Sequence, residues 1–345
     1  MNLRFRSTWD PDYTKKYYPF VADAAAFWLD YLKFEPSVNA QEGNGRYVLY
    51  DHSVHEGGGP NVNGTAALGL IRMTFKLALD MAGLLDVDKN LIEKRQHILD
   101  HLSEYATWNI PDMGNRKYHG EKVFRLAELG KDWNGNNTLG IQHIFPARQI
   151  GLESPPELLE LSRNMIRVMR CWDDFNGTNS FYPAAVQVGY DPQEILQYLD
   201  AWALKKSPNG MKHDKNAHGV ESCTPSIVTI NMMLCMSHQD VLRVFHVWPK
   251  DQDAAFQNLR AEGAFLVSSC LRNGRVEYIE IHSEKGRKCT LDNPWPGLQV
   301  TVTRSNGTSE TTSGARFTLE TKVDENLRLV PHLSLIHISE PTRPY

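Results

Sequence analysis

The 345-residue sequence lacks the features that mark several large classes of protein. It contains no run of eighteen apolar residues, so no membrane-spanning helix is expected. Lysine and arginine total 37 against 41 aspartate and glutamate residues, with no basic stripe and no acidic block, so neither nucleic acid nor a membrane surface is predicted as a partner. The first residues lead into no hydrophobic segment of a signal peptide. Localisation therefore stays open, because a periplasmic or secreted location would need a signal peptide N-terminal to Met1.

Cysteine is scarce and poorly spaced for metal or disulfide chemistry. The five cysteines include no C-x-x-C pair, and they are Cys171, Cys223, Cys235, Cys270 and Cys289. Neither a disulfide framework nor a zinc site is indicated. The sequence also has no G-x-S-x-G motif and no H-E-x-x-H motif, so it supports neither a serine hydrolase nor a metalloprotease.

Helical periodicity dominates the chain up to about residue 240. Apolar residues recur at helical spacing in six segments, which are 21–32, 64–84, 90–106, 157–172, 192–204 and 225–237. Polar, glycine-containing loops separate them, and they are 51–63, 109–122, 130–138 and 173–181. Loops of this length in a compact domain usually carry function. The pattern predicts stacked helical hairpins around an open cleft.

After residue 240 the helical periodicity gives way to patterns typical of β-hairpins, and the sequence predicts three regions. Residues 1–240 are predicted to be helical, and 241–332 to form a small antiparallel β domain. One hairpin is expected around Arg272-Asn273-Gly274, and a second links Val300–Val302 through Asn306-Gly307 to Phe317–Leu319. Residues 333–345 look like a translated sequencing adapter and are expected to lie outside the fold.

The most unusual stretch for chemistry is His55-Glu56-Gly57-Gly58-Gly59-Pro60, which comes just before a strong helix. A glycosidase needs a carboxylic acid at the mouth of its cleft to protonate the leaving oxygen, and Glu56 fits that need. The alternative is an ordinary solvated glutamate in a turn. His55, Asn61 and Asn63 in the same stretch are candidate substrate-binding residues.

Two further polar stretches offer candidate site residues. Glu221, preceded by His218, lies just before the last predicted helix and is a candidate second carboxylate, although a helix-entry acid is about as well supported. Asn137 and His143 belong to a polar loop that would suit the hydroxyl groups of a substrate. A lone histidine is more often a structural residue.

These residues resemble glycoside hydrolase family 95, which contains inverting α-L-fucosidases and some α-L-galactosidases. The run Glu56–Pro60 with Asn63 looks like the acid loop of that family. The most specific resemblance covers Ile230–His238 and Leu242–Pro249, and it continues through Phe256–Ala264 and Asn293–Gly297. The resemblance spans roughly residues 15–300, and the matching segments occur in the same order along the chain as in the family.

The resemblance implies a mainly α fold, an (α/α)6 toroid of the six-hairpin glycosidase type, followed by the small β domain. It implies Glu56 as general acid, Glu221 as the acid that polarises a base-side Asn, and His143 as a residue of the cleft. The family has Asp in a Gly-flanked loop where this sequence has Glu221 without the glycines, and the base Asn has no match. Because about seven helices are counted where a toroid needs twelve, the chain is expected to be a fragment truncated at both ends.

The resemblance therefore implies a glycoside hydrolase that cleaves α-linked deoxy- or hexose residues, as an α-L-fucosidase does, from an oligosaccharide or polysaccharide by inversion, with no metal and no organic cofactor needed. The main alternative is a non-catalytic carbohydrate-binding relative. A weaker alternative is a helical scaffold protein. Which sugar and which linkage would be recognised is left open.

Overall fold

The computed structural model describes residues 1–36, 45–54, 58–110, 120–130, 138–173, 178–204 and 225–332. The chain divides into two compact units, Met1–Met233 and Leu234–Tyr345. No helix in the described part of the chain is long and apolar enough to cross a membrane.

The first unit contains eight α-helices among its described residues. They are α1 (Asn2–Thr8), α2 (Pro11–Tyr31), α3 (Thr65–Leu85), α4 (Ile92–His101), α5 (Pro156–Met169), α6 (Thr178–Gln187), α7 (Pro192–Ala203) and α8 (Pro225–Leu234), the last of which ends at the first residue of the second unit. The helices expected over 64–84 and 192–204 are confirmed to within one residue at each end. The helix expected over 90–106 is shorter, because the chain turns to extended backbone at Leu102.

Helices α2 and α3 share a buried hydrophobic cluster in the first unit. Val21 and Ala25 of α2 belong to the same buried cluster as Leu68, Ile71 and Phe75 of α3. Their spacing of three or four residues places each set on one face of its helix, which is why two long helices can bury a shared apolar seam.

Short strands interrupt the helices of the first unit. They are β1 (Lys33–Glu35), β2 (Arg46–Val48), β3 (Val62–Gly64), β4 (Thr107–Asn109), β5 (Lys122–Phe124) and β6 (Ala127–Leu129). They pair as β1–β2, β3–β6 and β4–β5, all antiparallel. The pairing of β3 with β6 aligns Val62 with Leu129 and Gly64 with Ala127, and it joins segments more than sixty residues apart.

The prediction of a mainly α fold built on an (α/α)6 toroid is wrong. Of the described residues 42% are helical and 27% lie in strands, and a six-stranded sheet forms a large part of the second unit. Part of the error has a physical origin: the strands of the first unit have three residues each, too few to show the alternation that identifies a strand in a sequence.

The described residues of the second unit form two sheets. Its strands are β7 (Cys235–Met236), β8 (Val241–Val244), β9 (Ala254–Ala261), β10 (Phe265–Arg272), β11 (Arg275–Ser283), β12 (Cys289–Asp292), β13 (Val300–Arg304), β14 (Ser309–Thr312), β15 (Arg316–Leu319) and β16 (Glu325–Pro331). The larger sheet has the order β14-β13-β16-β11-β10-β9, and the smaller has the order β15-β12-β8-β7.

One predicted hairpin is confirmed and the other is only partly correct. Arg272 and Arg275 close the β10–β11 hairpin around Asn273 and Gly274, which both have positive φ, as a two-residue turn of this type requires. Strand β13 does form a hairpin, but its partner is β14. The expected partner, β15, instead pairs with β12 in the smaller sheet. Both β14 and β15 have four residues and a composition that suits a strand. The sequence alone therefore did not show which of the two pairs with β13.

Candidate functional site

The segment that contains Glu56 begins and ends at a pair of residues joined by hydrogen bonds. The amide of Asn61 donates to the carbonyl of His52 over 3.0 Å, and the amide of His52 donates to the carbonyl of Asn61 over 3.4 Å. The side-chain amide of Asn61 also donates to the carbonyls of His52 and Gly58. Asn61 is buried, so these bonds are shielded from water. They hold the two ends of this segment together.

Asn63 fixes the backbone that follows the segment of Glu56. It is fully buried and has φ of +51°, in the left-handed region that asparagine tolerates better than most residues. Its Oδ1 accepts the amide of Leu49 over 2.8 Å, and its Nδ2 donates to Glu128 over 2.7 Å. Both ends of the side-chain amide are therefore engaged within the chain.

Glu128 of β6 is a carboxylate that the sequence did not single out. Arg46 of β2 donates to both of its oxygens over 2.9 Å, in a two-point fork, and Asn63 adds a third bond. Burial alone would raise the pKa of Glu128, but the bonds from Arg46 and Asn63 outweigh it and hold the pKa below its usual value. Glu128 is thus a charged anchor for the strand that carries Asn63.

The charged network extends from Glu128 to β1. Arg46 lies 3.7 Å from Glu35 through its Nε, and the Tyr50 hydroxyl donates to Glu35. The hydroxyl of Tyr31 at the end of α2 reaches the carbonyl of Tyr50 over 3.3 Å. Hence the strand pair β1–β2, the end of α2 and the segment around Asn63 are linked by polar contacts. A glutamate in a three-residue strand leaves no signal by which the sequence could reveal this network.

His52 also forms a hydrogen bond with the backbone next to Asn63. Its Nε2 accepts the amide of Gly64 over 2.7 Å, which requires that this nitrogen carry no proton. Burial lowers the pKa of His52, with a smaller opposing effect from the backbone of Ser53. A Cβ at position 64 would collide with the imidazole ring of His52, so only glycine allows this close approach.

His143 lies in a second buried part of the first unit. Its ring packs against the rings of Tyr105 and Phe124, with centroids 4.7 and 4.5 Å apart. It is fully buried, and burial together with the charge of Arg72 lowers its pKa to about 3. The ring is therefore neutral at neutral pH. Gly69 of α3 packs against its backbone, where a Cβ would lie 2.7 Å from the Cα of His143.

Buried polar atoms without a hydrogen-bond partner gather around His143. Among the described residues they include both ring nitrogens of His143 and Nη1 of Arg72. The guanidinium of Arg72 lies 4.7 Å from the centre of the Tyr105 ring. Burial raises the pKa of Tyr105 to about 12, against an opposing effect of Arg72, so its hydroxyl stays protonated. Unpaired buried groups are costly, and their concentration here is unusual for a packed core.

Five of the predicted site residues lie outside the described residues, and they are His55, Glu56, Asn137, His218 and Glu221. Of the other three, Asn61 ends the segment of Glu56, Asn63 follows that segment, and His143 lies in the aromatic cluster described above. The roles of all eight stay predictions. No group of three or more His, Cys, Asp or Glu side chains that could hold a metal ion occurs in the described part of the chain.

Comparison with known proteins gives little further information. No protein-family model matches the chain, and no curated protein matches it. One similar solved structure is Ara127N-Se, a GH127 β-L-arabinofuranosidase from Geobacillus stearothermophilus T6, at 14% identity and a TM-score of 0.22. The match covers 78% of this chain and 42% of that chain, so this chain spans less than half of that glycoside hydrolase. Nothing in the comparisons supports family 95 in particular.

Proposed function

We propose that this chain is a glycoside hydrolase in which Glu56 is the general acid. The observation that carries the proposal is the closed base of its segment, where His52 and Asn61 exchange backbone hydrogen bonds. A general acid must be held within hydrogen-bond reach of the oxygen that it protonates. A segment whose two ends are joined by hydrogen bonds at the buried Asn61 meets that requirement better than a free surface turn does.

The proposed reaction is the hydrolysis of an α-linked residue of an oligosaccharide or polysaccharide with inversion. Glu56 gives its proton to the glycosidic oxygen as the bond to the anomeric carbon breaks, and water attacks that carbon from the opposite face. A base-side Asn that Glu221 polarises holds the attacking water, whose proton passes to the Glu221 carboxylate. In inverting enzymes the two carboxyl groups are roughly 6.5–9.5 Å apart, which leaves room for this water. No step of this mechanism needs a metal or an organic cofactor.

Asn61 and Asn63 are proposed as positioning residues. Their side-chain amides are buried and engaged with Gly58, His52, Leu49 and Glu128, which supports a role in holding the backbone beside Glu56. His143 stays a candidate for contact with substrate, since a neutral imidazole can donate to or accept from a sugar hydroxyl.

The test compares Glu56→Gln with the control Glu121→Gln, a partly exposed carboxylate paired with Arg167. Both variants and the wild type are assayed on α-L-fucosides and α-L-galactosides with good and with poor leaving groups. Glu56→Gln should lower kcat on the poor leaving groups by about 10²–10⁴-fold and lower it less on the activated ones, because these need no protonation. The control should match the wild type.

Two results would count against the proposal. Near-wild-type turnover of poor leaving groups by Glu56→Gln would remove Glu56 from the acid role. A wild-type chain that binds glycans but hydrolyses no glycoside would favour the non-catalytic alternative. The anomer first released, followed by NMR, tests inversion separately.

A further inference from the structure

The larger sheet of the second unit has a polar groove on one face. It has a volume of about 280 Å³ and crosses β9, β10, β11, β16 and β13. Polar groups from all five strands line it, and those of β10, β11 and β16 include Ser268, Glu280, His282, Asn326 and Arg328. In the pairing register Ser268 lies opposite Glu280 and Glu280 opposite Arg328, so these three side chains share one face.

An irregularity in the pairing of β9 with β10 shapes one end of the groove. The register shifts between Val267 and Ser269, and Asn258 in β9 has a positive φ of 54°. The amide of Asn258 donates to the hydroxyl of Ser268 over 3.0 Å. Bulges of this kind bend a strand and turn side chains away from the regular pattern, which suits a concave surface.

The cations of the groove already face carboxylates. Arg328 donates to Glu280, and Arg304 donates to Glu310 over 2.7 Å and to Glu325 over 3.0 Å. An anionic ligand would have to compete with these carboxylates, and a cationic ligand would meet two guanidinium groups. The charge pattern therefore favours an uncharged ligand that forms hydrogen bonds.

The groove offers flat polar groups with spare hydrogen-bonding capacity. The guanidinium of Arg328 stacks 4.5 Å above the ring of Tyr278, which restricts its plane, and Glu280 accepts only one of its five N–H donors. The oxygen of the exposed Asn326 pairs with His282 Nδ1 over 3.0 Å, and among the described residues no side chain pairs with its NH₂ group. Planar donors held in place can bond two neighbouring oxygens at once.

We infer that this groove binds a neutral oligosaccharide, with Arg328 and Asn326 as the principal ligands of its hydroxyl groups. Vicinal hydroxyls match the spacing of a guanidinium or amide edge, and Leu266 in the groove offers an apolar contact for a sugar face. The groove belongs to the second unit, whereas the residues proposed for catalysis belong to the first. It would hold a glycan without cleaving it.

The test is affinity electrophoresis of the full chain in native gels that contain galactomannan, xyloglucan or arabinan, with polygalacturonate as the acidic comparison. At least one neutral polysaccharide should retard the wild type. Arg328→Ala and Asn326→Ala should each weaken that binding by about tenfold, the loss expected when a bond to a well-held polar group is removed. The matched control Arg272→Ala changes an exposed arginine at the turn end of β10 and should be retarded like the wild type.

Arg328→Lys separates recognition from folding, since lysine keeps the charge beside Glu280 but lacks the planar fork. It should lose retardation with an unchanged Tm, and wild-type retardation of this variant would overturn the assignment. So would no retardation in any neutral gel, retardation in polygalacturonate alone, or unchanged retardation of Arg328→Ala and Asn326→Ala. Because binding is measured without turnover, this test stands or fails independently of Glu56.

Discussion

Asn63 connects a backbone conformation to the proposed acid. Its left-handed φ turns the chain between the segment of Glu56 and helix α3, and its amide bonds Leu49 on one side and Glu128 on the other. A residue in this position must tolerate positive φ and supply both a donor and an acceptor. Asparagine meets all three demands, which is why the position matters although its side chain reaches no solvent.

Replacing Asn63 with Ala should destabilise the protein by about 2–3 kcal/mol, because the buried amide of Leu49 and a carboxylate oxygen of Glu128 lose a partner. The free energy of unfolding is measured by urea titration. Asn109→Ala, at an exposed position of β4, is the matched control and should change stability by less than about 0.5 kcal/mol. An equal, small effect of both variants would contradict the anchoring role of Asn63.

At the scale of elements, two helices begin at an Asp-Pro pair. Asp10 accepts the amides of Asp12 and Tyr13 at the start of α2, and Asp191 accepts the amide of Glu194 over 2.8 Å at the start of α7. Proline follows each aspartate at the first helical position, where its missing N–H costs nothing. The side chains thus stop the helices from extending further toward the N-terminus.

Asp191→Ala should lower the free energy of unfolding by about 1 kcal/mol, the usual value of an N-cap side chain. Asp200→Ala removes an exposed aspartate from the last turn of the same helix, where a negative charge opposes the helix dipole, and it should be neutral or slightly stabilising. Urea denaturation of both variants gives the comparison. A loss in Asp200→Ala as large as that in Asp191→Ala would show that the cap is not the cause.

Some of the elements could be predicted from the sequence, and others could not. Helix α3 and the β10–β11 hairpin could be predicted, because one has many periods of apolar repeat and the other has an Asn-Gly turn between long strands. The pairing of β3 with β6 could not, since each strand has three residues and their partners are distant in sequence. The role of Glu128 depends on that pairing, so this part of the candidate site became visible only in three dimensions.

For the whole molecule, buried ionisable groups set the response to acid. Burial lowers the pKa of His143 to about 3 and also lowers that of His52. An unfolded histidine has a pKa of about 6.5, so between these values the unfolded state binds more protons and stability falls as the pH falls. Glu128 and Glu325 also have pKa values below their usual range, and their contribution is lost only below about pH 4.5. Acid should therefore act first through the histidines.

Lowering the pH from about 7 to about 5 should cost the wild type about 2 kcal/mol through His143 alone, at about 1.4 kcal/mol for each pH unit below 6.5. His143→Phe keeps an aromatic ring between Tyr105 and Phe124 but cannot titrate, so its loss over this range should be smaller by that amount. His97→Phe, the same substitution at an exposed site, should keep the wild-type difference. Urea titrations at the two pH values measure the difference in the free energy of unfolding. An undiminished loss of stability in His143→Phe would refute the assignment of this acid sensitivity to His143.

The order of strands in the larger sheet has a consequence for synthesis on the ribosome. Strand β16 is the last strand that the structure describes, yet it lies between β13 and β11 in the middle of the sheet. The β9–β10–β11 meander and the β13–β14 hairpin are therefore translated before the strand that joins them. Until residues 325–331 leave the exit tunnel, a nascent chain exposes two open sheet edges, and such edges are sites of intermolecular pairing. A chaperone that shields growing chains would be needed most during this interval.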